Sequence, residues 1–143
     1  MDLLIDTNII LDVLQNRESF VESSEKVLKM IQDRKIKGVL AAHTIPNLWY
    51  IMRKNYSQEQ RRFFIESLLD YFEVSSLDKQ KLLGALHRPE FSDFEDCLQD
   101  ECAAELNADY IITRNTRDYR SSRVQALTPE EFLRLKAGDR KYS

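Results

Sequence analysis

The sequence predicts one α/β domain, a parallel sheet with helices on both faces. Two observations predict it. Short apolar runs alternate along the chain with longer stretches of helical periodicity, the pattern of strands joined by helical crossovers. The first run, Leu3-Leu4-Ile5, is continuously apolar, as in a strand buried on both sides. The length of 143 residues suits one domain. With only three Gly and three Pro, no long flexible linker is expected.

Met1–Ile5 reads as the first strand, and Asp6 begins a helix carrying Ile9, Ile10, Val13 and Leu14. Phe20 to Asp33 is a second helix, with Val27, Leu28 and Ile31 on one face. Gly38–Ala42 is the next strand. A third helix starts at Thr44, with Pro46 in its tolerant first turn. Ser57 starts a fourth, whose apolar face is Phe64, Leu68 and Phe72 at i, i+4 and i+8. Val74 marks a short strand, and Asp78 to Leu86 a helix ending before Pro89. Ser92 opens the next helix with Glu95 at capping-box spacing; Phe94, Leu98, Cys102 and Leu106 form its buried face. Tyr110–Thr113 and Val124–Leu127 are the last strands. Thr128 caps a final helix through Leu135.

The net charge is −3 and the isoelectric point near 5.5. Handling a polyanion would then require local basic patches, a bound cation or a basic partner. No apolar run is long enough to span a bilayer, and MDLLIDTN puts acids where a signal peptide carries Lys or Arg. A cytoplasmic location is the default expectation. Cys97 and Cys102 read as small buried residues on different faces of one helix, unpaired.

In a parallel sheet, ligand sites gather beyond the carboxyl ends of the strands. Two strands end there in polar groups: Asp6, Thr7 and Asn8 after the first; Thr113, Arg114 and Asn115, then Asp118, after the fourth. The helix before the fourth strand carries Asp93, Asp96 and Asp100 on one face. Taken singly, Asp6 could be a helix cap, Asp93 and Asp96 first-turn acids, and Asp118 and Asn115 turn residues. Together, Asp6 and Asp96 would converge on one edge, with Asp118 a further candidate there. Clustered carboxylates repel unless a cation fills the gap. Oxygen ligands favour Mg²⁺ or Mn²⁺, and the two His (His43 and His87) with no clustered Cys argue against zinc. Such an ion suits phosphate chemistry. Neither a Gly-rich phosphate loop nor a Ser–His or Cys–His pair is evident, and both His read as surface or core residues.

Arg114, Arg117, Arg120 and Arg123 recur every third residue and could line a phosphate path, or simply balance nearby acids. Arg53/Lys54 and Arg61/Arg62 are further basic pairs. Tyr50, Tyr56 and Tyr119 could stack on bases, although packing is the simpler reading.

LLIDTNIILDVL, FSDFEDCLQ and ADYIITRNTRDY, in this order and spacing, resemble the PIN domain family, and in particular its VapC-like bacterial members. The resemblance covers nearly the whole chain. It implies a PIN-like three-layer α/β/α fold with a central five-stranded parallel sheet, as one domain over residues 1–143. It implies a Mg²⁺- or Mn²⁺-dependent endoribonuclease, the toxin of a toxin–antitoxin pair. Asp6 matches the family's first acid; Asp96, with Asp93 beside it, matches the acid of the helix before the fourth strand. Asn115 falls at the late acid-or-Asn position and Asp118 follows it, while Asn8 and Thr113 match the supporting polar positions. Of the arginines read above from their spacing, Arg114 and Arg117 are the candidates to meet RNA phosphates. A small antitoxin and a homodimer are the implied partners. One position departs: TIPNLWYIMRK places Asn47 where the family usually has Glu. Its amide oxygen can ligate a cation, but without charge, so activity should fall or Asp93 should compensate.

Two rivals remain. One is a degenerate PIN domain that binds RNA or protein without cutting. The other is a phosphotransfer enzyme; a dehalogenase-type phosphatase needs a second Asp where this chain has Asn8.

Overall fold

The computed structural model describes residues 1–142, with side chains through residue 138. Its strands are β1 (Asp2–Ile5), β2 (Lys37–Ala41), β3 (Phe72–Ser75), β4 (Tyr110–Ile112) and β5 (Ala126–Leu127). All pair in parallel in the order β3-β2-β1-β4-β5. The helices are α1 (Thr7–Leu14), α2 (Val21–Gln32), α3 (Thr44–Met52), α4 (Gln58–Tyr71), α5 (Lys79–Leu86), α6 (Phe94–Glu105) and α7 (Pro129–Tyr142). A 3₁₀ turn, Thr116–Tyr119, follows β4. The expected five-stranded parallel sheet and α/β/α layering are therefore present.

Side-chain alternation along the strands divides the core. Leu3 and Ile5 point into one cluster with residues of α1, α2, α3 and α7, including Phe132; Leu4 points into the other, with α5, α6 and Tyr119. β1 is central, so Leu3, Leu4 and Ile5 are fully buried, and its carboxyl end is flanked by those of β2 and β4. Both Cys are buried and free. Among the described residues, no helix is long and apolar enough to cross a membrane.

Gly38 lets β2 approach its neighbours. A Cβ there would meet Phe72 Cε1 at 2.7 Å and Ile31 Cγ2 at 2.8 Å.

Several local expectations are corrected. Phe72 does not extend the α4 face; it is the first, buried residue of β3. Ser92 does not cap α6. Asp93 does, its carboxylate accepting from Asp96 N–H at 3.0 Å, so the helix begins later and Phe94 is 43% exposed. Asp outcompetes Ser here because it sits immediately before the first helical residue, where a side-chain oxygen reaches the N3 amide. Ser57 and Gln60 form a reciprocal capping box at α4, and Thr128 and Glu131 exchange the same two bonds at α7. The final helix also runs past Leu135, to Tyr142.

Candidate active site

Asp6 follows the last residue of β1 and occupies the N-cap position of α1, yet its side chain makes no cap hydrogen bond. Its carboxylate is held elsewhere. Oδ2 accepts from Thr113 Oγ1 at 2.8 Å, Asn8 Nδ2 at 3.3 Å and Tyr119 OH at 3.3 Å. Oδ1 accepts from Gln99 Nε2 at 3.0 Å. Thr113 follows β4 directly, and β4 pairs with β1, so sheet register sets this contact. An acid 7% exposed that declines to cap its own helix is committed to something other than local structure.

Asp96 lies in the first turn of α6 and is half-buried. Its Oδ1 also meets the Tyr119 hydroxyl, at 3.1 Å. One hydroxyl thus touches carboxylates ninety residues apart in sequence. Burial, then the neighbouring charges of Asp6 and Asp93, push the Asp96 carboxyl up to about 7. Burial also raises Asp6, opposed by its four hydrogen-bond partners. Tyr119 is raised by burial and by the two acids, so it stays a hydroxyl.

Asn8 bridges the ends of β1 and β4. Its Nδ2 reaches Asp6 and Thr113, and its Oδ1 accepts from Arg114 N–H at 3.4 Å. Asn115 donates its backbone N–H to Thr113 Oγ1 at 3.1 Å and accepts from Asp118 N–H at 3.0 Å, setting the 3₁₀ turn. The side chains of Asn115 and Asp118 are exposed on that turn, and Asp118 adds to the charge felt by Asp96. Asn47 lies in the first turn of α3, half-buried, at the end of β2 beside β1. Thr44 and Thr7 tie these helix starts together, their Oγ1 atoms 3.1 Å apart.

Asp100 does not join Asp93 and Asp96. Fully buried, it takes Arg88 Nη2 at 2.7 Å and the amides of Arg123 and Val124, pinning α6 to the segment after α5 and to the approach to β5. The arginine ladder is largely spent as well. Arg114 Nε lies 3.0 Å from buried Asp12, and its guanidinium covers Phe20. Arg123 pairs with Glu101 at 2.8 Å. Arg117 and Arg120 are exposed and make no ion pair among the described residues. Arg53 covers Tyr50, Arg61 covers Trp49, and the Tyr56 hydroxyl donates to Leu14 O.

Sequence reasoning missed three neighbours of the acids. Gln99 is buried and one turn past Asp96; its polarity inside an otherwise apolar helix face was the available signal. Tyr119 is a hydrogen-bond donor to the acids rather than a stacking surface. His43 precedes α3 with both ring nitrogens lacking a hydrogen-bond partner. Burial lowers its pKa against the pull of Glu95, Asp6 and Asp93, favouring the neutral ring.

Among the described residues, no three His, Cys, Asp or Glu side chains form a ready metal-ligating group. Two acids do meet, with donors from Asn8, Gln99 and Thr113 on Asp6. Gln99 Oε1 is buried and unpartnered. Hard oxygen donors, a strained acid pair and an orphan acceptor fit a hard divalent cation better than any soft one.

The sequence pattern described as a PIN domain matches residues 2–117. The chain is 22% identical over 134 residues to Ribonuclease VapC1 of Aquifex aeolicus, covering 91% of this chain and 92% of that one. Its fold is similar to that of the VapBC2 complex from Rickettsia felis bound to a promoter DNA fragment (TM-score 0.68, 16% identity, 90% of this chain and 98% of that one). VapBC-1 from nontypeable Haemophilus influenzae is also similar (TM-score 0.67, 22% identity, 91% and 99%).

Proposed function

We propose that this chain, which belongs to the PIN domain family, is a Mg²⁺- or Mn²⁺-dependent endoribonuclease and the toxin of a toxin–antitoxin pair. The observation that carries the reading is the meeting of Asp6 and Asp96 on one hydroxyl at the carboxyl edge of the sheet. Both acids are raised by burial, and Asp96 also by the charge of Asp6, so both gain when a cation neutralises them.

Asp6 and Asp96 would hold the ion, with Asp93, Asp118, Asn115 and Asn47 nearest in support. A bound divalent ion supplies charge neutralisation at a phosphoryl oxygen and lowers the pKa of a water. The chain's own groups set the geometry. Asp6 Oδ2 already has three donors, so Oδ1, with one, is the freer oxygen. Asp93 spends one oxygen on the Asp96 amide and keeps the other. Arg117, exposed beside the site, is the better placed of the two proposed phosphate contacts, since Arg114 is held by Asp12.

The test is RNA cleavage with Mn²⁺, with EDTA, and by Asp6→Ala/Asp96→Ala protein. Cleavage only in the first condition supports the reading; equal cleavage in all three refutes it.

Asn47, and the lack of a third clustered acid among the described residues, favour a second reading, a binding module that no longer cuts RNA. Calorimetry separates the two: such a module gives no heat with millimolar Mg²⁺ or Mn²⁺.

The proposed partners are an antitoxin and a second copy of the chain. Relatives whose structures are described as VapBC complexes support the first. α4 fits protein contact, because it buries no residue and exposes Phe63 at 74% and Leu69 at 48%. Light scattering of the purified chain tests the second copy; a small reading frame beside the gene, co-expressed and co-purifying with the chain, would support the antitoxin, and its absence would count against it.

A further inference from the structure

We propose that Tyr119 is a positioning residue of the acid site, its hydroxyl setting the separation and facing of the Asp6 and Asp96 carboxylates that receive the cation. The inference rests on the metal-site reading above and deepens it.

The placement of Tyr119 is over-determined. Its ring is 3% exposed and packs edge-on against Phe91, with centroids 6.3 Å apart and planes at 83°. Phe91 is in turn covered by Arg88, whose guanidinium carbon lies 4.9 Å from the ring centroid. The 3₁₀ turn is stitched by Asp118 N–H to Asn115 O and by Ser122 to Tyr119 O at 2.8 Å. Ring and backbone are therefore fixed independently of the acids, and the hydroxyl is delivered between them.

That hydroxyl is the direct link between Asp6 on β1's end and Asp96 on α6. It has one proton and two carboxylate neighbours, at 3.3 Å and 3.1 Å. A hydroxyl donates one hydrogen bond, so full satisfaction of both acids needs a further positive partner. The device orients two ligand oxygens while leaving their charge uncompensated. Groups that orient metal ligands in this way contribute about 10–100-fold to affinity when tested by removal. A phenylalanine at this position would pack equally well and would leave the two acids unlinked, so the hydroxyl has no role that core packing alone explains.

The experiment compares Tyr119→Phe with Tyr56→Phe, which removes a part-buried hydroxyl far from the acids, donating to Leu14 O. Calorimetric titration with Mn²⁺ and thermal unfolding are measured on each and on the unmodified chain. The expected result is Mn²⁺ affinity about ten-fold weaker in Tyr119→Phe and unchanged in Tyr56→Phe. Unchanged affinity in Tyr119→Phe, with Mn²⁺ binding intact in the unmodified chain, overturns the positioning role and leaves the metal site standing. No Mn²⁺ binding by the unmodified chain overturns both. Should Tyr119→Phe not fold, the unmodified chain still decides. Its Tyr119 ring-carbon resonance next to the hydroxyl should move in step with Mg²⁺ saturation; a stationary resonance overturns the proposal.

Discussion

Asp96→Asn removes one charge from the acid pair and keeps an oxygen for the Tyr119 hydroxyl. Burial and then the Asp6 charge hold the Asp96 carboxyl at about 7 against an ordinary 3.8. At 1.36 kcal/mol per pKa unit, the ceiling on the associated stability change is about 4 kcal/mol. Asp96 is only half-buried, and solvent screening reduces this to roughly 1–2 kcal/mol. The sign follows from proton uptake. Between 3.8 and about 7 the folded chain keeps a proton that the unfolded chain has released, so stability falls as pH rises through that window. Asp6 shares the titration, and the two steps belong to the pair. Urea unfolding in EDTA at pH 4 and pH 8 is the assay. The variant and the unmodified chain should differ least at pH 4, close to the ordinary value of 3.8 where the unfolded carboxyl still holds much of its proton. At pH 8 the variant should be more stable by about 1–2 kcal/mol, roughly 3–8 °C in melting temperature. Millimolar Mn²⁺ at pH 8 should then stabilise the unmodified chain and not the variant. Equal stability at pH 8 in EDTA would refute the reasoning, because the acids would then not be paying for their proximity.

Asn47→Glu restores a charged oxygen and should tighten Mn²⁺ binding about ten-fold by calorimetry, with faster RNA cleavage. Asp100→Asn removes the charge 2.7 Å from Arg88, which keeps Glu101 at 3.1 Å, and should cost about 1–3 kcal/mol by urea unfolding. Gly38→Ala drives a methyl into Phe72 and Ile31; it should cost about 1–3 kcal/mol, with cleavage per folded molecule unchanged. Arg117→Ala should weaken RNA binding and reduce the log–log salt slope by about 0.7, read by fluorescence anisotropy across a salt series.

The strand–helix alternation made the fold legible because period and apolar run length are local properties. Leu3-Leu4-Ile5 reads as a doubly buried strand and is one. What was illegible depended on which way a side chain turns at a helix end. Ser92 reads as the cap and Asp93 as a first-turn acid, and only the backbone of the approach shows that Asp93 caps the helix. Asp93, Asp96 and Asp100 share a helical spacing, yet Asp96 meets the Tyr119 hydroxyl while Asp100 is captured by Arg88 from the segment after α5. Arg88 and Asp100 lie on different segments, so nothing in helical periodicity announces the pair. Tyr119 was visible as an aromatic but not as a donor, since its hydroxyl finds the acids only through the turn after β4.

Charge ties these observations together. The net charge is −3, and the acid edge repels the substrate proposed for it. Four arginines after β4 looked like the remedy, but two of them neutralise buried or half-buried acids: Arg114 serves Asp12, and Arg123 serves Asp100 and Glu101. These pairs hold α1 and α6 against the β4–β5 region, and so they hold the site in shape. The same residues cannot also present free charge to a phosphate chain. What remains at that edge is Arg117 and Arg120, together with the ion proposed between Asp6 and Asp96. A divalent ion there would reverse most of the local charge, so on the proposed reading substrate attraction and chemistry would depend on one binding event. RNA affinity should therefore fall with the ion's removal, not cleavage alone, and a chain that binds RNA equally well in EDTA would separate the two.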